Sequence, residues 1–222
     1  MGRLDFDEKH DTAEMKNITD SSRSLVFAGR SAITSAIAWI LQLVFVGLFF
    51  SIGQPFGTLS DLANTLMVLL MLPYALAMYR RYQDVSNWWN SLALVLSVIG
   101  VFLVAGASGM LVLGSIEFEQ SLRPVLAGLG LIGIWIIGLN ILGRSDPILL
   151  RRMVWLGIMV GVGLVLLAAL VMARGALEFD PPWAVLRNPI AIPGLVGGLI
   201  AFLGYPAWAI WLGKSLIQGD FE

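Results

Sequence analysis

The chain has 222 residues, of which 58% are hydrophobic and only 13% are charged, and its net charge is −1. A soluble domain carries roughly 25% charged residues, and a fold in water could not cover so much apolar surface. The composition therefore indicates a protein whose solvent is the bilayer. The near-zero net charge gives no basis for binding nucleic acid, and the lack of cysteine excludes disulfides and cysteine-ligated metals.

The first 30 residues are polar and mixed in charge, and they include the single histidine, His10. They contain no apolar stretch of the kind found in a cleaved signal peptide. We expect a short helix around residues 11–16 and disorder elsewhere in this segment. The predicted organisation is a polar segment over 1–30, a transmembrane domain over 31–217 and a tail over 218–222.

Six apolar stretches follow, each near the ~20 residues that cross a bilayer core as a helix. Helices are expected because lipid offers the backbone no hydrogen-bond partners. The predicted fold is an all-α polytopic bundle of six transmembrane helices. The predicted spans are 31–52, 60–79, 91–113, 122–142, 153–171 and 193–213.

The distribution of lysine and arginine along the chain predicts how the protein is oriented in the membrane. With the amino terminus inside, eleven of the 14 basic residues fall in inner segments. The outer loops then hold only Arg123, Arg174 and Arg187. Because inner loops are enriched in Lys and Arg, both termini are predicted to be cytoplasmic.

Two outer connections have distinctive sequences. The turn over 53–59 is rich in Gly and Pro, and Ser60 and Asp61 are predicted to cap the helix that follows. The longest connection, about 172–192, is predicted to form a hairpin with a short interfacial helix at 184–187.

Small residues at four-residue spacing predict close helix packing, since burial of apolar surface cannot drive association in lipid. Packing within one chain and homo-oligomerisation through a glycine-rich face both fit this pattern. The pairs are Gly157 with Gly161, Gly194 with Gly198, and Ala105 with Gly109. Pro73 and Pro206 lie inside spans and are expected to kink them, because each clashes with the carbonyl four residues back, Leu69 or Phe202.

The middle of the predicted spans contains no Asp, Glu, Lys, Arg or His. Such groups usually mark proton relays, ion paths or catalytic centres in membranes, so pumping and catalysis are not expected. Neutral polar residues remain. Gln42 is expected to face the bundle and to pair with Asn64, Ser97 or a carbonyl freed by a proline. The functional alternative is a small, mostly apolar pocket lined by Gln42, Asn64 and Tyr74.

Acidic residues of the outer loops are candidates for a surface site. The group comprises Asp61, Glu117, Glu119, Glu178 and Asp180. It has no histidine companion, so a metal is not expected, and neither a cofactor nor a catalytic residue is assigned. At the inner side, Arg80-Arg81 and Arg151-Arg152 are topology determinants that can also contact anionic headgroups.

Two stretches carry a family resemblance. Residues 72–100 and 203–217 resemble the corresponding parts of a group of uncharacterised bacterial six-span membrane proteins. The first has an apolar helix ending in a tyrosine, a basic turn and another apolar helix, and the second has a closing helix with Pro and Trp-Leu-Gly. The resemblance implies a six-helix bundle in a bacterial inner membrane and transfers no functional residue.

Three functional hypotheses follow. The first is an accessory or structural membrane protein without catalytic activity that binds a partner protein or a lipid, with the polar amino terminus available for docking. The second is a facilitator or binding protein for a small neutral or apolar molecule. The third, which has the least support, is an enzyme that acts through the acidic outer loops.

Overall fold

The structure is a computed structural model that describes residues 4–146, 149–173 and 191–218. The regular elements of these residues are seven α-helices and one short 3-10 helix. They are α1 (Leu4–Ile52), α2 (Phe56–Leu69), α3 (Met71–Tyr82), α4 (Asn87–Val112), α5 (Phe118–Leu142), the 3-10 helix Gly143–Ser145, α6 (Arg151–Ala173) and α7 (Ala191–Gln218). The predicted outer hairpin over 172–192 and its interfacial helix lie largely outside the described residues.

Six segments are long and apolar enough to cross a membrane, which confirms the predicted all-α, six-span fold. At 1.5 Å per residue, the shortest of them, with 20 residues, is about 30 Å long and matches the hydrocarbon core. The spans are Arg23–Ile52, Phe56–Tyr82, Asn87–Val112, Phe118–Ser145, Arg151–Leu170 and Ile192–Gln218. The second span combines α2 and α3.

The spans pack side by side in a closed ring. Going round it, α1 contacts α2, α2 contacts α4, α4 contacts α5, α5 contacts α6, α6 contacts α7, and α7 returns to α1. Helix α3 packs against α1 and α4. The ring places buried side chains of α1, α3, α5 and α7 at its centre, where the polar groups described below meet.

Pairs of glycines lie where neighbouring helices of the ring cross. A methyl group added at Gly133 of α5 would lie 2.6 Å from the carbonyl oxygen of Gly161 in α6, and the reverse distance is also 2.6 Å. The same reciprocal approach occurs between Gly29 and Gly213, Gly100 and Gly128, and Gly163 and Gly197. The absence of a side chain at these positions lets the backbones touch, which is how helices associate in lipid.

The predicted small-residue pairs divide into two kinds. Gly157 and Gly161 pack against α5, and Gly194 packs against Leu170 of α6. The prediction of packing within the chain is therefore confirmed for spans five and six. In contrast, a methyl group at Gly109 of α4 would meet no atom within 4 Å, although Ala105 packs against the core, so no close helix contact is made at Gly109.

The predicted disturbance is confirmed near Pro73, whereas a kink at Pro206 stays a prediction. The second span is interrupted at Leu70, three residues before Pro73. Pro206 lies inside α7, which continues to Gln218. Each proline lacks the N–H that would bond to the carbonyl four residues back, which is that of Leu69 for Pro73 and that of Phe202 for Pro206.

The start of the second span differs from the prediction. Helix α2 begins at Phe56 after Pro55, and no side chain caps it. Ser60 is buried and Asp61 half-buried within this helix, so neither residue caps the helix and Asp61 does not lie in a loop. The capping prediction failed because Gly53, with φ of 92°, completes the turn earlier than the polar pair suggested.

The amino-terminal segment is also more regular than predicted. Instead of a short helix around residues 11–16, the backbone forms one helix from Leu4 to Ile52. Nineteen residues of this helix precede Arg23, the first residue of the first span. They would extend roughly 28 Å beyond the span at 1.5 Å per residue.

Gly133→Ala is expected to lower the free energy of unfolding by about 1–3 kcal/mol, because the new methyl group forces α5 away from α6. The matched control is Gly109→Ala, whose methyl group meets no atom within 4 Å and which should be neutral or slightly stabilising. Thermal unfolding of the purified protein in detergent compares the two. Equal losses of stability would contradict the glycine-pair account.

Candidate functional site

The centre of the ring holds a group of buried side chains that we call the central cluster: Ser35, Trp39, Tyr74, Trp135, Tyr205 and Trp208. The Tyr205 hydroxyl is shared between two partners. It makes a hydrogen bond with Ser35 Oγ of α1, and it lies 3.0 Å from the Tyr74 hydroxyl of α3. One chain of hydroxyl groups thereby joins α1, α3 and α7.

The rings of the central cluster pack against one another. The ring centroids of Trp39 and Tyr205 are 4.8 Å apart, and those of Tyr74 and Trp135 are 5.7 Å apart. Trp208 contacts Trp135 edge-on with centroids 6.4 Å apart. Aromatic pairs in this range contribute about 0.5–1.5 kcal/mol each beyond the area they bury. Trp39 and Trp135 are both buried.

Donors on α1 bond to one backbone carbonyl in the turn before each proline. The Trp39 indole N–H donates to the Phe202 carbonyl oxygen at 3.0 Å, and Phe202 is the residue four positions before Pro206. The Ser31 hydroxyl donates to the Leu70 carbonyl oxygen at 2.6 Å, in the turn preceding Pro73. Because an unpaired carbonyl in lipid costs several kcal/mol, both contacts stabilise the spans that contain the prolines.

Asn140 of α5 links this helix to α7, next to Trp208 of the central cluster. Its side-chain oxygen accepts from the Trp208 indole N–H at 3.3 Å, and its side-chain nitrogen donates to the Ile136 carbonyl oxygen at 2.8 Å. The amide lies directly against Gly157 of α6, where any larger residue would collide with it.

The chemical capacity of this interior is narrow. Its groups are hydroxyls, indole N–H donors and one amide, none of which exchanges a proton near neutral pH. Those of Ser35, Trp39, Tyr74, Tyr205, Trp208 and Asn140 bond to one another or to backbone carbonyls. The arrangement can hold helices together, but it offers no general base.

The three residues predicted to line a ligand pocket do not share one described cavity. Tyr74 lies in the central cluster and is completely buried. Asn64 is ten residues earlier, roughly 15 Å along the span, and its side-chain nitrogen donates to Ser108 Oγ of α4 at 3.0 Å. Gln42 lies on α1, two turns beyond Ser35. Ligand binding by these three residues stays a prediction.

The expected partners of Gln42 are not found among the described residues. Its buried side-chain oxygen has no hydrogen-bond partner, and neither does Oδ1 of Asn64 or the Ser97 hydroxyl. Donors on α1 do reach carbonyls at the prolines, but they are Ser31 and Trp39 instead of Gln42. Sequence position alone gave depth in the membrane and not the direction in which each side chain points.

One ion pair was missed at the sequence level. The Asp146 carboxylate, just after the 3-10 helix, accepts from Nε of Arg81 at 2.6 Å and from its Nη2 at 3.1 Å. The Tyr82 hydroxyl donates to the same carboxylate at 3.0 Å. This contact fastens the end of α3 to the end of α5. No local sequence pattern predicts this ion pair, because Arg81 and Asp146 are 65 residues apart.

A cleft of about 380 Å³ opens beside this ion pair, between the end of α5 and the start of α6. Its lining combines two arginines, a buried amide and apolar side chains. The lining residues are Asn140, Ile141, Arg144, Ser145, Arg151, Val154, Trp155 and Ile158. None of the residues predicted to bind a ligand lines this cleft.

Of the acidic residues predicted to lie in outer loops, Glu117 takes part in local backbone structure. Glu117 and Gln120 form a capping box at the start of α5, which uses the Glu117 carboxylate to bind backbone N–H groups. Within the described ranges no three metal-ligating side chains cluster. Glu178 and Asp180 lie outside those ranges.

Comparisons with protein-family models, with curated proteins and with solved structures find no match to this chain. The resemblance to bacterial six-span proteins stays a prediction.

Trp39→Phe is expected to destabilise the protein by about 1–3 kcal/mol, because it removes the donor to a buried carbonyl. Pro206→Ala restores a backbone N–H that can reach the Phe202 carbonyl. The cost of Trp39→Phe should therefore shrink in the Pro206→Ala background. A double-mutant cycle of unfolding free energies measures this coupling, and additive effects would show that the indole N–H is not the missing donor.

Proposed function

We propose that the protein is an accessory membrane protein that binds a partner protein or a lipid and carries out no chemistry of its own. The observation that carries the proposal is the use of the interior polar groups. Ser31, Ser35 and Trp39 of α1 are each bonded to another helix. These groups are committed to holding the ring together, and function is left to the surfaces outside it.

The distribution of charge supports the same proposal. The ionisable side chains of the spans, such as Arg30, Asp61 and Arg123, lie within about two turns of a span end. A proton-coupled transporter or an intramembrane hydrolase would use such groups at depth.

The amino-terminal part of α1 is the proposed docking element for a partner protein. Residues 4–22 precede the first span as part of the same helix. They contain two lysines and six acidic residues, namely Asp5, Asp7, Glu8, Asp11, Glu14 and Asp20. A segment of this charge favours a partner with a basic surface.

We place the protein in the inner membrane of a bacterium with both termini in the cytoplasm. The excess of basic residues at one end of the spans supports this orientation. Arg80, Arg81, Arg144, Arg151 and Lys214 all belong to that end, because successive spans run in opposite directions.

A second candidate function is the binding of a small neutral molecule. It is favoured by the buried acceptor oxygens of Gln42 and Asn64, which lack donors in the described residues. A ligand with N–H or O–H groups would satisfy them.

The partner proposal is tested by extracting the protein with its native lipids and identifying bound proteins by mass spectrometry. A specific protein should accompany the full chain and be lost from a variant lacking residues 2–22. Asp11→Asn/Glu14→Gln should weaken the association, whereas the matched change Lys9→Gln/Lys16→Gln should leave it no weaker. Solute flux or substrate turnover by the reconstituted protein alone would contradict the proposal.

The orientation is tested with reporter fusions. Green fluorescent protein at the carboxyl terminus should fluoresce, and alkaline phosphatase inserted at position 178 should be active, because the two reporters work on opposite sides of the membrane. The reverse pattern would place both termini outside.

A further inference from the structure

We infer that the cleft between α5 and α6 is a binding site for the phosphate of an anionic phospholipid. The inference deepens the binding role proposed above and rests on it, since it names the lipid class that the protein holds. It begins with the two arginines, Arg144 and Arg151, that line a cavity of about 380 Å³. A volume near the lower end of the ~300–1,000 Å³ typical of ligand sites suits a headgroup and not a whole lipid.

The two guanidinium groups have no carboxylate partner in the described part of the chain. The nearby carboxylate of Asp146 is held by Arg81 through Nε and Nη2, and by the Tyr82 hydroxyl. Its charge is therefore compensated on the α3 side. Arg144 and Arg151 are both exposed, and they are free to take an anion in the forked geometry that guanidinium offers to phosphate.

The cleft is polar at one end and apolar at the other, along the membrane normal. Arg144 lies at the end of the fourth span and Arg151 at the start of the fifth, which is headgroup level. Val154, Trp155 and Ile158 lie one to two turns deeper on α6, and Ile141 lies one turn deeper on α5. A soluble anion would make no favourable contact with the apolar side chains of the cleft, whereas the acyl chain of a lipid would pack against them.

Trp155 supports the choice of a lipid. Its side chain is 58% exposed although it is a large aromatic residue of a span. Indole rings prefer the headgroup region, where the ring contacts acyl chains and the N–H meets polar groups. Ile141, 46% exposed beside it, continues the apolar surface toward the membrane centre.

The positive charge of the cleft determines which class of phospholipid it should bind. Two arginines without a carboxylate attract an anionic headgroup and give no favourable contact to the cationic group of a zwitterionic one. The probe is therefore phosphatidylglycerol, with phosphatidylcholine as the reference and inorganic phosphate as the soluble source of the same chemistry.

The test titrates the purified protein, in neutral detergent, with each lipid and counts bound lipids by native mass spectrometry. Arg144→Gln/Arg151→Gln should weaken phosphatidylglycerol binding roughly thirty-fold, as expected for two arginine contacts to a headgroup. The matched control Arg80→Gln/Arg152→Gln removes the same charge from the same end of the protein and should change binding less than about threefold. If the double variant fails to fold, Arg151→Gln and Trp155→Leu are tested singly, and each should weaken binding.

Three results would overturn the inference. Equal losses in the two double variants would show general attraction to a basic surface. Displacement of the lipid by millimolar inorganic phosphate would show a site for a free anion. Equal binding of both lipids would show no headgroup selection. A protein partner that persists despite any of these results leaves the proposed function intact, whereas intrinsic flux or turnover would sink the proposed function itself.

Discussion

Backbone carbonyls that lack a helical donor inside a bilayer need another one, and α1 supplies donors to two other spans. The Trp39 indole bonds to the Phe202 carbonyl, whose usual donor Pro206 removes, and the Ser31 hydroxyl bonds to the Leu70 carbonyl at the interruption of the second span. Both donors lie on α1, eight residues or about two turns apart. One helix therefore bonds to both proline-containing spans, α7 on one side and the α2–α3 pair on the other. This requirement fixes the rotation of α1 and closes the ring where its first and last spans meet.

Close packing at glycine pairs, in addition to these hydrogen bonds, holds neighbouring helices together. Reciprocal glycine pairs bring α1 to α7, α4 to α5, α5 to α6, and α6 to α7. Helices that touch at the backbone leave little space for a path between them. The hydroxyl chain of Ser35, Tyr205 and Tyr74 fills the centre. The same features that stabilise the bundle thus occupy the polar groups of the central cluster, which supports a function at the surface of the molecule.

The arginine-rich end of the molecule has two surface features that could bind a partner. The arginine-rich end has a cleft that is basic at the headgroup level and apolar beneath it, and it carries the helical extension of α1 over residues 4–22. A lipid in the cleft and a protein on the extension would act at the same end of the molecule. Binding of a headgroup beside the ion pair of Arg81 and Asp146 would also lie close to the junction of α3 and α5.

Sequence alone predicted the features that depend on composition and local chemistry. The number of spans, the interruption near Pro73, and the packing of Gly157 and Gly161 within the chain all follow from residue type and spacing. It did not predict features that depend on which helices are neighbours. The donor for Phe202 is 163 residues away, and the partner of Asp146 is 65 residues away. Gln42 has the right depth for a contact, but its direction depends on the rotation of α1, which other residues fix.

The cap of α2 failed for a different reason. Ser60 and Asp61 have the right chemistry for a helix start, but Gly53 and Pro55 complete the turn first. Helix α2 therefore begins at Phe56, before the two residues that were predicted to cap it. The sequence predicted that Arg151 can contact anionic headgroups, but it did not predict the cleft, because the lining comes from two helices whose packing brings Arg144 and Arg151 together.

The central claim is that the interior is closed to water, and the absence of native cysteine allows a direct test. Ser35→Cys places a thiol at a fully buried position, and Ser145→Cys places one at an exposed position at the arginine-rich end. A small water-soluble thiol reagent is applied to either face of the reconstituted protein. The account predicts rapid labelling at position 145 and none at position 35 until the protein is unfolded. Labelling of position 35 from either face in the folded protein would reveal an aqueous path and contradict the account.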